Sequence, residues 1–340
     1  MQIGSFEIGP DHPTWVIAEI GINHNGDVLR AREMVHAAKE SGADALKVQS
    51  FHPAHFTTKR AMYKGESQYD LFSRYVLTDD EIRSVADECR SVGIEFFGTP
   101  DCLEHAKLLV ECGANVIKVG SDDLMTWPLL KQIASLRKPM ILSTGMADQG
   151  EVIDTVKWLR HQTGYLLDVA VMVCTSLYPC PLEHAGVGRI QGLSRCFSHD
   201  PVIGYSDHTD SVYTSAYAVA AGARMVEKHF TLDRSLPGPD QAFSADPDLF
   251  AWMVSNIRDA ETISRGRYGS IPDKEEMRPL ARRSIVASTA LPKGVVITED
   301  MLAYKRPGDG LLPNEGVRIV GRKLRRSIDQ DGLILEADTE

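Results

Sequence analysis

Residues 225–230 read MVEKHF, a short apolar run that ends in Lys228-His229 and opens into the stiff loop TLDRSLPGPDQ (231–241). On its own such a run predicts one buried strand. Its weight comes from being the eighth of its kind. Upstream stand WVIAEIG (15–21), ALKVQSF (45–51), EFFGTP (95–100), VIKVGS (116–121), MILSTG (140–145), VAVMVCT (169–175) and PVIGYSD (201–207). Between them lie stretches of helical period, among them 29–41, 79–92, 103–112, 128–135 and 151–160, several with glycine just past the end, as in ESGAD, SVGIE and ECGAN. Parallel strands need crossover helices, and eight such units close on themselves. The sequence therefore predicts a (β/α)8 barrel, with a doubly wound open sheet as the alternative.

Two stretches fall outside this rhythm. Residues 52–78 join the second and third strands where a few residues would do, and the aromatics and mixed charge of the segment favour an ordered lid over an inert insertion. After residue 263 the periodicity stops. The reading is a barrel over 1–265, a linker over 266–282 rich in Gly, Pro and charge, and a small, mostly β domain over 283–340.

The net charge of −10 excludes general attraction to nucleic acid or anionic lipid. From Arg282 onward ten basic residues face nine acidic ones, so the deficit resides in the barrel and the tail could lend it a cation. Six cysteines without a C-x-x-C pair, mostly in apolar periodic segments, suggest buried thiols in a reducing compartment. No leader-like start or membrane-length apolar run is present, so the expected location is cytoplasmic.

In a barrel, the C-terminal strand ends and the loops after them face the site. Here they carry Glu19, Asn23 and His24; Lys47 and Gln49; Thr99 and Asp101; Lys118, Ser121 and Asp123; Ser143 and Thr144; Thr175, Ser176 and Tyr178; Ser206, Asp207 and His208; and His229. Eight consecutive polar strand ends imply one polar site. Lys47 and Lys118, costly to bury unpaired, meet either internal carboxylates or a bound anion, and the surrounding hydroxyls favour a phosphate or carboxylate ligand. His208 and His229, ending adjacent strands, could share one divalent ion in an open site suited to Lewis-acid chemistry. Glu19 either pairs with Lys47 or serves as an acid/base group, and the two are compatible. Lys228 alternates to the other face and reads as structural. Without a P-loop or G-x-G-x-x-G, no nucleotide is indicated.

With these residues assembled, the sequence resembles the sialic acid synthase family. The resemblance lies in AEIGINHNGD, ALKVQSF, IKVGSDD, PMILSTGM, CTSLYP, IGYSDHT and EKHFTLDRSLPGPD. In the tail, RRSIVAS, LPKGVVITEDML and KRPGDG resemble the antifreeze-like (SAF) domain. It implies condensation of phosphoenolpyruvate with an N-acylated amino sugar such as N-acetylmannosamine, giving a nonulosonic acid and phosphate by C–O cleavage. It implies a divalent metal, Mn2+ or Mg2+, on His208 and His229, with Glu19 placed for proton transfer. Lys47, Thr99, Lys118, Ser121, Ser143 and Ser206 would hold phosphoenolpyruvate; Gln49, Asp123, Tyr178 and Asp240 would face the sugar. Arg306 would arrive from the partner in a domain-swapped homodimer and meet the N-acyl group.

Three positions depart from the family pattern. Ser121-Asp122-Asp123 replaces Ser-Gly-Glu, Ser176 stands where asparagine is frequent, and Gln241 where a histidine or small apolar residue follows the acid. All three are expected on the sugar side, so a diacetamido-trideoxyhexose acceptor, giving legionaminic or pseudaminic acid, is the alternative. More distant readings are a metal-dependent aldolase and a non-catalytic carbohydrate-binding protein.

Overall fold

Eight parallel strands close a barrel: β1 Trp15–Gly21, β2 Ala45–Ser50, β3 Glu95–Pro100, β4 Ile117–Val119, β5 Met140–Ser143, β6 Val169–Val173, β7 Val202–Asp207 and β8 Met225–His229. The computed structural model describes residues 1–63, 65–197, 201–264 and 272–340. The chain divides into two compact units, Met1–Ser264 and Arg265–Glu340. Ring closure falls where β8 pairs with β1, with His229 beside Glu19. The MVEKHF strand thus converts an open sheet into a barrel.

A helix follows each strand: α1 Val28–Glu40, α2 Asp79–Val92, α3 Leu103–Glu111, α4 Trp127–Ala134, α5 Gln149–Gln162, α6 Arg189–Cys196, α7 Thr214–Ala220 and α8 Pro247–Ser264. Helix α2 shows why these sequences fold so. Thr78 and Glu81 form a capping box, three acids occupy the first turn, and Gly93 closes the end in the left-handed region at φ 71°. Its buried face, Ile82, Val85, Ala86 and Cys89, recurs at three- and four-residue steps and packs into the core. The strands are buried on both faces, β1 and β6 along their whole length, as a sheet enclosed by helices requires.

A hairpin that the sequence pattern does not announce, Gln2–Ile3 with Phe6–Glu7, lies at the opposite end of the barrel from the site. There Gly4 approaches Glu95 at the start of β3 so closely that a Cβ would fall 2.7 Å from Glu95 Oε2. At the other end, the β1–β2 register shifts between Glu19 and Gly21. Such bulges re-aim side chains near sites.

The long segment after β2 is ordered. It holds two short helices, Pro53–Phe56 and Gln68–Ser73, and a small hairpin, Met62–Tyr63 with Glu66–Ser67. Phe51, Phe56 and Phe72 pack edge to face, with ring centroids 5.4–5.9 Å apart.

The expected linker contains a helix. Residues 266–271 lie outside the described ones, but Asp273–Ala281 forms a helix, α9, despite the internal Pro279. The rest of the second unit is built from the antiparallel pair β9 Ser284–Ala287 and β10 Leu302–Lys305, isolated bridges such as Leu291 to Ile328, and a compact core that includes Ile285, Ile297, Ile319 and Ile334.

Candidate active site

Strands β1, β2, β4 and β8 send charged side chains into the barrel mouth, where they meet. Lys118 Nζ lies 3.2 Å from both oxygens of Glu227. Lys47 Nζ lies 3.2 Å from Glu19 Oε2 and 3.6 Å from Glu227 Oε2, and donates to Thr99 Oγ1 at 3.1 Å. Gln49 donates to Glu19 Oε1 at 3.1 Å, and Ser206 donates to Glu227 Oε1 at 2.9 Å. The lysines therefore have the internal carboxylates that the hydroxyl-rich surroundings had argued against. Glu227, absent from the sequence-derived set, is the hub. Period two could have found it, because residues 227 and 229 share one strand face.

The charges are unequal in behaviour. Burial lifts the Glu19 carboxyl above the usual range, with help from Glu227. Burial also opposes the Glu227 carboxylate, but Lys118 and Lys47 outweigh it and hold its pKa far down. Lys47 stays protonated because Glu19 and Glu227 overcome the burial cost, whereas burial keeps Lys118 below its ordinary value. Of the two carboxylates, Glu19 is thus the readier to take up a proton, while Glu227 holds its charge against the lysines.

Beside this network stand His208 and His229, ring centroids 5.5 Å apart. His208 Nδ1 lies 2.7 Å from the Thr175 carbonyl, so that nitrogen carries the proton and Nε2 keeps a lone pair. Nε2 is 3.3 Å from Ser206 Oγ, whose single hydrogen is taken by Glu227. Burial holds both rings neutral, His229 strongly so. His229 Nδ1 is buried without a hydrogen bond, 3.7 Å from Asp240 Oδ2. Two neutral imidazoles with unsatisfied lone pairs fit a divalent cation. Tyr178 covers both, its ring 4.4 Å from His208 and 5.9 Å from His229.

Ser121 meets the buried Cys174 thiol at 3.2 Å and accepts from the Gly145 amide at 3.0 Å. A Cβ on Gly145 would lie 2.2 Å from Ser176 Oγ, so glycine lets these strand ends converge. Ser143 is buried at the end of β5, and Asp123 is half-buried after β4 with its carboxyl raised by burial and by Asp122. Arg306 is exposed in the second unit, directly after β10.

Several strand-end residues are structural. Asp207 accepts from Thr209 and Ser215 and pairs with Lys228 at 3.3 Å on the outer face. His24 is buried and its Nδ1 accepts from the Gly26 amide. Gln241 is fully buried rather than facing a sugar. It bonds Thr231 and the Asn23 carbonyl, fastening the loop after β8 to the loop after β1. Gly238, at φ 153°, passes close enough that a Cβ would meet Gln241 at 3.0 Å.

A closed parallel barrel with a lysine-carboxylate cluster and a histidine pair at its mouth is the architecture of a barrel enzyme. The chain belongs to the NeuB family, which it matches over residues 34–267, and carries an SAF domain over 282–340. It is 38% identical over 335 residues to an uncharacterized protein from Methanocaldococcus jannaschii, covering 98% of this chain and 97% of the relative. To N,N'-diacetyllegionaminic acid synthase from Legionella pneumophila it is 37% identical, over 96% of this chain and 95% of that one. The crystal structure of N-acetylneuraminic acid synthetase from Leptospira borgpetersenii superposes with a TM-score of 0.75 at 29% identity, covering 82% of this chain and 94% of that one. Among the described residues no helix is long and apolar enough to cross a membrane.

Proposed function

We propose that this chain is a nonulosonic acid synthase, joining phosphoenolpyruvate to an N-acylated amino sugar with release of phosphate. The observation that carries this is the convergence of Lys47 and Lys118 on Glu227, next to His208 and His229, in a chain of the NeuB family. The lysines bind the phosphate and carboxylate of phosphoenolpyruvate, aided by the hydroxyls of Thr99, Ser121, Ser143 and Ser206. Gln49, Asp123, Tyr178 and Asp240 orient the sugar, and Arg306 reaches its N-acyl group from a second copy of the chain. A divalent cation of the Mn2+ or Mg2+ class, held by His208 and His229, would polarise the acceptor's carbonyl.

As C3 of phosphoenolpyruvate bonds to the aldehyde carbon, positive charge gathers at C2, and the carboxylates of Glu227 and Glu19 stabilise it. Water adds at C2 and gives its proton to Glu19 Oε2, which lies beside Lys47 without an aligned hydrogen bond. The tetrahedral adduct then loses phosphate by C–O cleavage: Glu19 returns its proton to the leaving group, and the proton shed as the C2 hydroxyl becomes the ketone goes to the alkoxide left at the former aldehyde carbon.

The higher identity to the diacetyllegionaminic acid synthase favours a 2,4-diacetamido-trideoxyhexose over N-acetylmannosamine. The test is a panel of both sugars and N-acetylmannosamine 6-phosphate, each with phosphoenolpyruvate and manganese, read by product mass and phosphate release. A condensed product with sugar-dependent phosphate release is expected, and chelation should stop it. Phosphate release without sugar, or pyruvate acting as donor, would overturn the reading.

A further inference from the structure

On another arc of the barrel mouth, away from β7 and β8, four donors of different chemistry come together. His55 comes from the long segment after β2, Asp101 and Cys102 from the turn between β3 and α3, and His105 from the first turn of α3. One ligand atom from each lies within 4.8 Å of the others. His105 Nδ1 is 2.5 Å from Asp101 Oδ1 and 3.6 Å from Cys102 Sγ, and His55 Nδ1 is 3.4 Å from Asp101 Oδ2. The His52 amide donates to Asp101 Oδ2 at 2.7 Å, fixing a carboxylate whose side chain is only 6% exposed.

We propose that His55, Asp101, Cys102 and His105 form a second metal site, for a divalent transition ion of the zinc class, which staples the long segment to the β3–α3 turn. Two imidazoles, a thiol and a carboxylate make the borderline-soft, four-donor set that suits tetrahedral zinc, whereas magnesium and calcium prefer all-oxygen sites. The set differs from the histidine pair at β7 and β8, which has no thiol. It draws on two chain segments joined by a hydrogen bond from the His52 amide to Asp101 and by a ring contact of His55 with His105 at 5.7 Å. Closing four bonds there would hold the root of the segment without involving the barrel core. The proposal stands independently of the reaction assigned above.

The test is titration of the metal-stripped full chain with cobalt(II), a spectroscopic stand-in for zinc. A thiolate-to-cobalt absorption band whose intensity corresponds to one thiolate-bound cobalt per chain is expected, with uptake at His208 and His229 adding nothing to it. Cys102→Ser should abolish it, and His55→Ala, which alters an exposed side chain and leaves the barrel intact, should weaken binding by about tenfold or more. Zinc should also slow trypsin cleavage after Lys59 or Arg60 in the parent and not in Cys102→Ser. A parent without the band, a band that survives Cys102→Ser, or cleavage indifferent to zinc would overturn the proposal.

Discussion

Glu227 holds Lys118 by both carboxylate oxygens, each 3.2 Å from the ammonium nitrogen, and the second of them also faces Lys47 at 3.6 Å. With Glu19 Oε2 3.2 Å from Lys47, two buried carboxylates thus compensate two buried cations, and Glu227 is the one that serves both. On the proposed function, an incoming phosphate or carboxylate would find donors already placed and share them with Glu227.

Glu227→Gln keeps the shape and removes the charge, leaving two ammonium groups with less compensation. Breaking a buried pair from one side costs about 3–5 kcal/mol, so the melting temperature should fall markedly without ligand. Inorganic phosphate should restore the variant more than it stabilises the parent, because it supplies the missing negative charge. Equal phosphate-induced shifts in parent and variant, read by thermal melting, would show that anions do not engage these lysines.

The barrel was legible because each strand is a short apolar run bounded by Gly, Pro or polar residues, and the eighth run is as clear as the first. The mouth was legible because polar residues recur where those runs end. Glu227 was missed inside an apolar strand, although its period-two partnership with His229 pointed inward. Gln241 was misplaced for a different reason. Its partners, Asn23 and Thr231, include one 218 positions away, and no local pattern reveals such a contact. Helix α9 hid in a stretch whose charge and proline count resemble a linker, and the N-terminal hairpin is too short to show a period.

The burial of Gln241 changes what its substitution should do. Gln241→Ala leaves the Asn23 carbonyl and Thr231 hydroxyl without their partner, at a cost of about 1–3 kcal/mol. The post-β8 loop that carries Asp240 should loosen, raising KM for every acceptor by a similar factor. Steady-state kinetics on two sugars would check this. A change in the ratio of their kcat/KM values would return Gln241 to the sugar side.

His24 gives the fold a dependence on acid. Burial depresses its pKa to about 4, against an ordinary value of 6.5, so in that interval the unfolded chain takes up a proton that the folded chain refuses. Its contribution is complete above the unfolded value and is lost as pH falls toward the folded one. His24→Asn keeps an acceptor where Nδ1 receives the Gly26 amide and removes the titration. From about pH 7 to about pH 5, the variant should lose roughly 2 kcal/mol less than the parent in urea unfolding. Parallel losses would mean that His24 is already accessible to protons in the fold.

The assignment of Arg306 to a partner's site has a consequence that separates swapping from every intrachain arrangement. Lys47→Ala disables a barrel, and Arg306→Ala disables a tail. In a swapped heterodimer of the two variants, one site combines both defects and the other joins an intact barrel to an intact tail. Without swapping, each site carries one defect and none is whole. Co-expression of the two inactive chains should therefore recover about a quarter of parental activity, since roughly half of randomly paired dimers are mixed and each has one working site of two. Activity no greater than the sum of the two variants alone, in dimers shown by mass to be mixed, would place Arg306 outside the partner's site.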